Sequence, residues 1–153
     1  SLILIATGCD QPNNKEKNSS NNHATEIETE KRSNDIEFSE VIENQSISLK
    51  RIQAAKTEYY GKELEIYGYL EVDDYYNCKY RDSENTHYSF KLKDNNYNDL
   101  NTYFKKSISK DLFNKLIDVD KLPVKLKVIA LKRRQGSVCD LMVEGLEYEI
   151  IEN

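Results

Sequence analysis

The stretch KELEIYGYLEV, residues 62–72, decides the fold class because apolar and polar side chains alternate along it. Leu64, Ile66 and Leu70 share one face, whereas glutamates and tyrosines share the other. Successive side chains of a strand point to opposite sides, so the alternation predicts a strand with one buried face. Gly68 interrupts the apolar face and indicates a bend or a bulge, as the strands of small barrels require.

Four further stretches have the character of strands. Residues 87–93 and 124–131 alternate as clearly as the first stretch, and residues 102–108 and 139–151 complete the set. Gly145 lies within the last strand and predicts a bulge. The Asn- and Asp-rich sequence between the second and third strands is typical of a turn.

Two segments have helical spacing instead. Residues 47–58 predict a short helix, for which Ser46 or Ser48 supplies the N-cap. Residues 109–118 predict a second helix with Ser109 as its cap. The apolar face of this second helix comprises Leu112, Phe113, Leu116 and Ile117.

The order strand, strand, strand, helix, strand, strand resembles the OB-fold. The sequence YYGKELEIYGYLEV, residues 59–72, is similar to the opening of OB domains related to anticodon-binding modules, where a Gly-Lys pair leads into a bent strand. The resemblance covers residues 46–151 and implies a mostly β, five-stranded Greek-key barrel with a helix between strands 3 and 4. The alternatives are another small β barrel or sandwich and an α+β fold.

The N-terminal sequence SLILIATGC runs from an apolar stretch into a cysteine. Residues 6–9, Ala-Thr-Gly-Cys, resemble the lipobox of bacterial lipoproteins, although Ala6 stands where leucine is usual. The resemblance implies that residues 1–8 are the remnant of a signal peptide and that Cys9 is lipidated and anchored in a membrane. Asp10 resembles the signal that retains lipoproteins at the inner membrane of enteric-type bacteria. The alternative is a buried N-terminal strand that ends in an ordinary thiol.

Residues 9–45 predict a disordered polar tether, and residues 46–153 predict the folded domain. Residues 35–45 are ambiguous, because Ile36, Phe38, Val41 and Ile42 could dock on the domain; they are assigned to the tether. The tether is rich in Asn, Ser, Lys and Glu, which cannot bury enough apolar surface to offset the entropy of ordering. Residues 10–45 carry nine acids and four bases, a difference that equals the whole net charge of −5. The domain is therefore formally neutral, which disfavours nucleic acid as a partner.

The chain has three cysteines, and if Cys9 is acylated, two of them remain available to pair. Cys78 and Cys139 then remain, and in an oxidising compartment they predict a disulfide that closes a loop of about 60 residues. Two separate free thiols are the alternative.

The sequence contains no phosphate-binding loop, no nucleophile elbow and no metal-ligand spacing around His23 and His87. We therefore predict a protein that is not an enzyme and needs no cofactor or metal. All eleven tyrosines fall in the domain, and tyrosine suits recognition surfaces. The candidates for contact with a partner are Tyr67, Tyr69, Tyr75 and Tyr76; the alternative is that these rings cover the exterior of the barrel or pack under the N-terminal helix.

Together these features predict a lipid-anchored lipoprotein of the bacterial cell envelope, with its domain facing the periplasm or the exterior. Its expected role is to bind a protein partner, as an immunity or inhibitor protein or as an assembly accessory. The alternative role is that of an OB module that binds an oligonucleotide or a sugar.

Overall fold

The computed structural model describes residues 37–76, 78, 83–132 and 135–152. Within them, five strands close into a barrel in the order β1-β2-β3-β5-β4, and a helix separates the third strand from the fourth. Neighbouring strands are antiparallel except β3 and β5, which are parallel. The predicted mostly β, OB-like barrel is thus confirmed. The strands are β1 (Glu63–Val72), β2 (His87–Lys93), β3 (Asp99–Lys105), β4 (Leu122–Lys132) and β5 (Leu141–Ile150).

The N-terminal helix of the domain is divided in two. A break at Ala55, whose φ is −116°, separates the halves, and the Ser48 side chain caps the first half by accepting a hydrogen bond from the Arg51 N–H. None of the described helices is long and apolar enough to cross a membrane. The helices are α1 (residues 37–44), α2 (Leu49–Ala54), α3 (Lys56–Tyr59), α4 (Ser83–Thr86) and α5 (Lys106–Ile117).

Strand β1 joins the two sides of the barrel. It pairs with β4 from Glu63 to Leu70 and with β2 from Tyr69 onward. The register with β4 runs through Gly68 without a shift, so this glycine is not a bulge in that pairing. A Cβ at Gly68 would lie 2.7 Å from the carbonyl oxygen of Lys93. Gly68 is therefore needed where β2 closely approaches β1.

The predicted bulge at Gly145 is present in β5. Val128 of β4 faces Gly145, whereas Lys127 faces Glu147, so Leu146 has no partner across the pair. The Phe104 ring occupies the space that a side chain at position 145 would need. Gly145 thus allows β5 to pack directly against the barrel core.

Helix α5 begins three residues earlier than predicted, and Ser109 is not its cap. The Ser109 hydroxyl is buried inside the helix and donates to the carbonyl of Lys105, 2.8 Å away. Ser109, Leu112 and Leu116 form the buried stripe, at the three- and four-residue spacing of a helix face. Ile117, predicted on this face, is 61% exposed because it falls beyond the stripe.

Strand β3 occupies Asp99–Lys105, three residues before the predicted position 102–108. Thr102, Tyr103 and Phe104 are all buried, so the alternation that marks a one-sided strand is absent there. Similarly, β5 starts at Leu141, whereas the prediction began at 139.

Residues 37–44, which composition assigns to the tether, form a helix on the barrel. Phe38 and Ile42 are each 3% exposed, and their spacing of four places them on one helix face. Gln45 follows, and its side-chain amide pairs with both the N–H and the carbonyl of Tyr67 on β1. The proposed signal remnant, Cys9 and Asp10 lie outside the described residues.

We predict that Gly145→Ala destabilises the domain by about 3 kcal/mol, because the new methyl overlaps the Phe104 ring. Urea unfolding followed by circular dichroism measures the loss. The double variant with Phe104→Leu should lose less than the sum of the two single losses, since the smaller side chain makes room. Additive losses would show that Phe104 is not the obstacle.

Candidate functional site

The outer face of β2 and β3, together with the loops β1–β2 and β4–β5, is where OB barrels bind their ligands. In this barrel β5 extends that face, because it pairs with β3. In this chain Ser89, Tyr103 and Glu144 form a row across that face, each opposite the next in the strand register. Their exposures are 2%, 0% and 9%. An outward-facing row can be buried to this extent only if another part of the chain covers it.

The cover is the chain that follows β1. We call residues 73–76 together with Cys78 the covering segment. The carbonyl of Tyr75 accepts hydrogen bonds from the Tyr103 hydroxyl at 2.6 Å and the Ser89 hydroxyl at 3.1 Å. The Asp73 N–H donates to the Ser89 carbonyl at 3.0 Å. These bonds satisfy the polar groups that the cover removes from water.

Tyr76 strengthens the same cover. Its hydroxyl donates to the carbonyl of His87 at 3.3 Å, and its ring lies against Tyr103 with the centroids 6.2 Å apart. Burial raises the pKa of Tyr103 to about 12, and burial also raises the pKa of Tyr76. Both phenols therefore remain neutral hydrogen-bond donors near neutral pH.

The predicted disulfide fastens the covering segment to the far side of the face. Cys78 and Cys139 are bonded, with their Cα atoms 5.0 Å apart, so the predicted pairing is confirmed. Together with Tyr103 and Met142 they form an apolar cluster outside the barrel core. Residues 141–145 of β5 are consequently all buried, because the core lies on one side and this cluster on the other.

The four tyrosines proposed from sequence do not form one surface. Tyr75 and Tyr76 belong to the covering segment and are half-buried within it. Tyr67 and Tyr69 lie on the outer face of β1, also half-buried. The Tyr69 ring packs edge-on against Phe38 of α1, with a centroid distance of 5.2 Å.

Lysines cover the β1 tyrosines, and one of these lysines, Lys125, is also paired with a glutamate. The Nζ of Lys121 lies 4.1 Å from the Tyr69 ring centroid, and that of Lys125 lies 5.8 Å from the Tyr67 centroid. Lys125 also contacts Glu65 at 3.1 Å. Lys93 and Lys127 likewise contact glutamates, at distances of 2.6 and 3.4 Å, so these pairs neutralise much of the basic charge on this side of the barrel.

A residue that the sequence analysis did not select, Tyr97, is the most exposed large apolar side chain among those described. It is 91% exposed and has a φ of 62°, a conformation that non-glycine residues rarely adopt. Asp94 fixes its turn, because the carboxylate accepts from the N–H groups of Asn96 and Asn98 at 2.8 and 2.9 Å. An aromatic residue within an Asn-rich turn is the signal in the sequence that points to it.

Val138 lies at the same end of the barrel as Tyr97. The parallel register places Thr102 opposite Val143, so the residues that precede β3 and β5 lie side by side. Val138, next to Cys139, is 69% exposed. A cavity of about 320 Å³ opens between the starts of these strands and α2. Its walls are mainly polar and include Gln53, Lys56, Asp99, Asn101 and Cys139.

The described residues contain no cluster of three or more histidine, cysteine or acidic side chains arranged to hold a metal ion. No protein-family model and no curated protein matches this chain. Among solved structures, it is similar to OBody AM2EP06 bound to hen egg-white lysozyme, at 17% identity and a TM-score of 0.42, over 61% of this chain and 83% of that one. It is also similar to OBody AM3L15 bound to hen egg-white lysozyme, at 15% identity and a TM-score of 0.45, over 63% and 81%.

We predict that removal of the disulfide by Cys78→Ala with Cys139→Ala lowers the free energy of unfolding by about 4 kcal/mol. The physical reason is that the bridge spans 61 residues and restricts the unfolded chain. Urea titration measures the loss. A reductant should lower the stability of the unsubstituted protein to a similar extent and leave the double variant unchanged.

The raised pKa of Tyr103 predicts an alkaline loss of stability. The folded state holds this proton more tightly than the unfolded state, so the stabilisation is complete below pH 10 and lost as the pH rises to about 12. This loss amounts to roughly 2 kcal/mol in the free energy of unfolding, and Tyr103→Phe should abolish it because phenylalanine has no proton to release. Urea titrations between pH 9 and 12 test this, with Tyr97→Phe as the exposed control. If the free energy of unfolding fell with pH equally steeply in both variants, the assignment to Tyr103 would be contradicted.

Proposed function

We propose that this chain is a membrane-tethered, non-enzymatic lipoprotein of the bacterial cell envelope that binds a protein partner through its OB-like barrel. The observation that carries the proposal is the filled outer face of β2, β3 and β5. Ser89 and Tyr103 lie beneath the covering segment, and the disulfide holds that segment in place. Recognition of a partner is therefore assigned to surfaces outside this face.

The same observation counts against the alternative of an oligonucleotide-binding module. Proteins that bind single strands present exposed aromatic rings for stacking beside a basic groove. Here Tyr103 has no exposed surface, and its neighbours Tyr75 and Tyr76 pack with it. The lysines of the β1–β4 face are paired with glutamates, which supports a partner other than nucleic acid.

The envelope location rests on two separate features. The Cys78–Cys139 bond is a structural disulfide, and such bonds persist in oxidising compartments. The lipobox-like sequence that ends at Cys9 would supply the membrane anchor. Both features agree with a domain that faces the periplasm or the exterior of the cell.

Contact with the partner is assigned to the end of the barrel that carries Tyr97 and Val138. Both side chains are exposed on braced segments: Asp94 fixes the turn of Tyr97, and the disulfide fixes the segment of Val138. Preorganised contacts lose little conformational entropy on binding. This rigidity suits an inhibitor or immunity protein, which must hold its target tightly.

The anchor is tested by metabolic labelling with a fatty-acid analogue. Cys9→Ala should abolish labelling and move the protein from the membrane fraction to the soluble fraction. Cys78→Ala, expressed beside it, should remain labelled. Membrane association that survives Cys9→Ala would contradict the lipoprotein assignment.

The binding end is tested by a photo-crosslinking residue at position 97 in the anchored protein. We expect one discrete protein adduct, and none from the same residue at Ile108, which is 47% exposed at the start of α5 beyond the opposite end of β3. Once the partner in that adduct has been identified and purified, Tyr97→Ser should weaken the affinity of this chain for the partner by about 2 kcal/mol, or about thirtyfold. Ile108→Ser should leave the affinity unchanged. Equal losses in both variants would contradict the assignment.

A further inference from the structure

We propose that Cys139, and not Cys78, is the sulfur at which an external thiol exchanges with the disulfide of this protein. The bond joins two residues in unlike surroundings. Cys139 lines the cavity of about 320 Å³ that opens beside α2. Cys78 is absent from the described walls of that cavity and has no exposed surface.

Access decides which sulfur a thiolate attacks. A nucleophile directed at Cys78 would have to enter the apolar cluster formed with Tyr103 and Met142, where a charged thiolate loses its hydration without compensation. A nucleophile directed at Cys139 approaches through a cavity whose walls are mainly polar side chains. The cost of bringing the charge to the sulfur is therefore much smaller from the cavity side.

One polar group in these walls, the Asn101 side-chain amide, also favours the transition state of exchange. The Asn101 side-chain amide donates toward the Cys139 Sγ, with the nitrogen 3.8 Å away. In thiol–disulfide exchange the negative charge spreads over the attacking, central and leaving sulfurs. With Cys139 as the central sulfur, this amide lies where it can stabilise part of that charge.

The chemical step is a two-electron exchange with a dithiol, either a small molecule or the active site of an oxidoreductase. The dithiol's thiolate attacks the Cys139 Sγ, a mixed disulfide forms, and Cys78 leaves as a thiolate that takes up a proton. The second thiol of the dithiol, after losing its proton, attacks its own sulfur in the mixed disulfide and releases Cys139 as a thiolate, which is protonated in turn. The dithiol becomes a disulfide and the protein gains two thiols; formation of the bond follows the same path in reverse.

The regiochemistry is tested with glutathione, a monothiol that stops at the mixed disulfide. The folded, oxidised protein is exposed briefly to glutathione, quenched with N-ethylmaleimide and mapped by peptide mass spectrometry. We expect glutathione on Cys139 and maleimide on Cys78 in at least a tenfold excess over the reverse pattern. Glutathione on Cys78, an equal mixture, or no exchange in the folded protein would each overturn the proposal.

The route is tested separately by filling the cavity. Gln53 lies on α2 at the cavity wall, so Gln53→Trp should slow reduction by dithiothreitol at least tenfold. Lys50→Trp, on the exposed side of the same helix, is the matched control and should leave the rate unchanged. Urea titration verifies that both variants are as stable as the unsubstituted protein. An unchanged reduction rate in a stable Gln53→Trp protein would show that exchange does not pass through this cavity.

Discussion

The bond between Cys78 and Cys139 decides which face of the barrel meets solvent. It holds the chain that follows β1 across β2 and β3 and fastens it beside the start of β5. The first half of β5 is consequently buried on both sides, whereas residues 146–150 alternate between partly covered and exposed. A face that is open in ligand-binding OB barrels becomes a second apolar cluster around Tyr103, and the partner recognition that we propose would use other surfaces.

Polar groups can be buried under this cover because the chain supplies their partners. The Tyr75 carbonyl receives two hydroxyl donors, one from β2 and one from β3, and so links both strands to the covering segment. Next to them, the His87 Nε2 lies 3.7 Å from a Glu144 carboxylate oxygen. A buried network of this kind tolerates little change, because removal of one partner leaves the other desolvated and unpaired. The face therefore acts as structure, and its hydrogen bonds specify where the covering segment sits.

The sequence predicted the parts of the fold in which one face of an element is buried and the other exposed. Residues 87–93 alternate, and β2 occupies those same residues. Strand β3 begins three residues before its predicted position because Thr102, Tyr103 and Phe104 are all buried, which removes the alternation that a sequence can show. The sequence offered Phe38 and Ile42 as residues that could dock, but it left the docking open, since they form one apolar face only when a helix forms. The disulfide can be predicted once Cys9 is assigned to acylation, because two cysteines then remain, whereas the burial of Tyr75 and Tyr76 beside that bond appears only in three dimensions.

The turn that carries Tyr97 is held by hydrogen bonds within the turn and by one to helix α1. Asp94 binds the turn's own N–H groups, and Asn95 donates a hydrogen bond of 3.1 Å to the Ser39 carbonyl of α1. The left-handed backbone conformation of Tyr97 raises the free energy of the unbound protein by roughly 1 kcal/mol or more, whereas an asparagine would adopt it more easily. The hydrogen bonds of Asp94 offset part of this cost, but among the described residues the ring, which is almost wholly in solvent, repays none of the remaining cost. A partner that covers the ring would repay it, and the bracing would ensure that the turn need not reorganise when that partner binds.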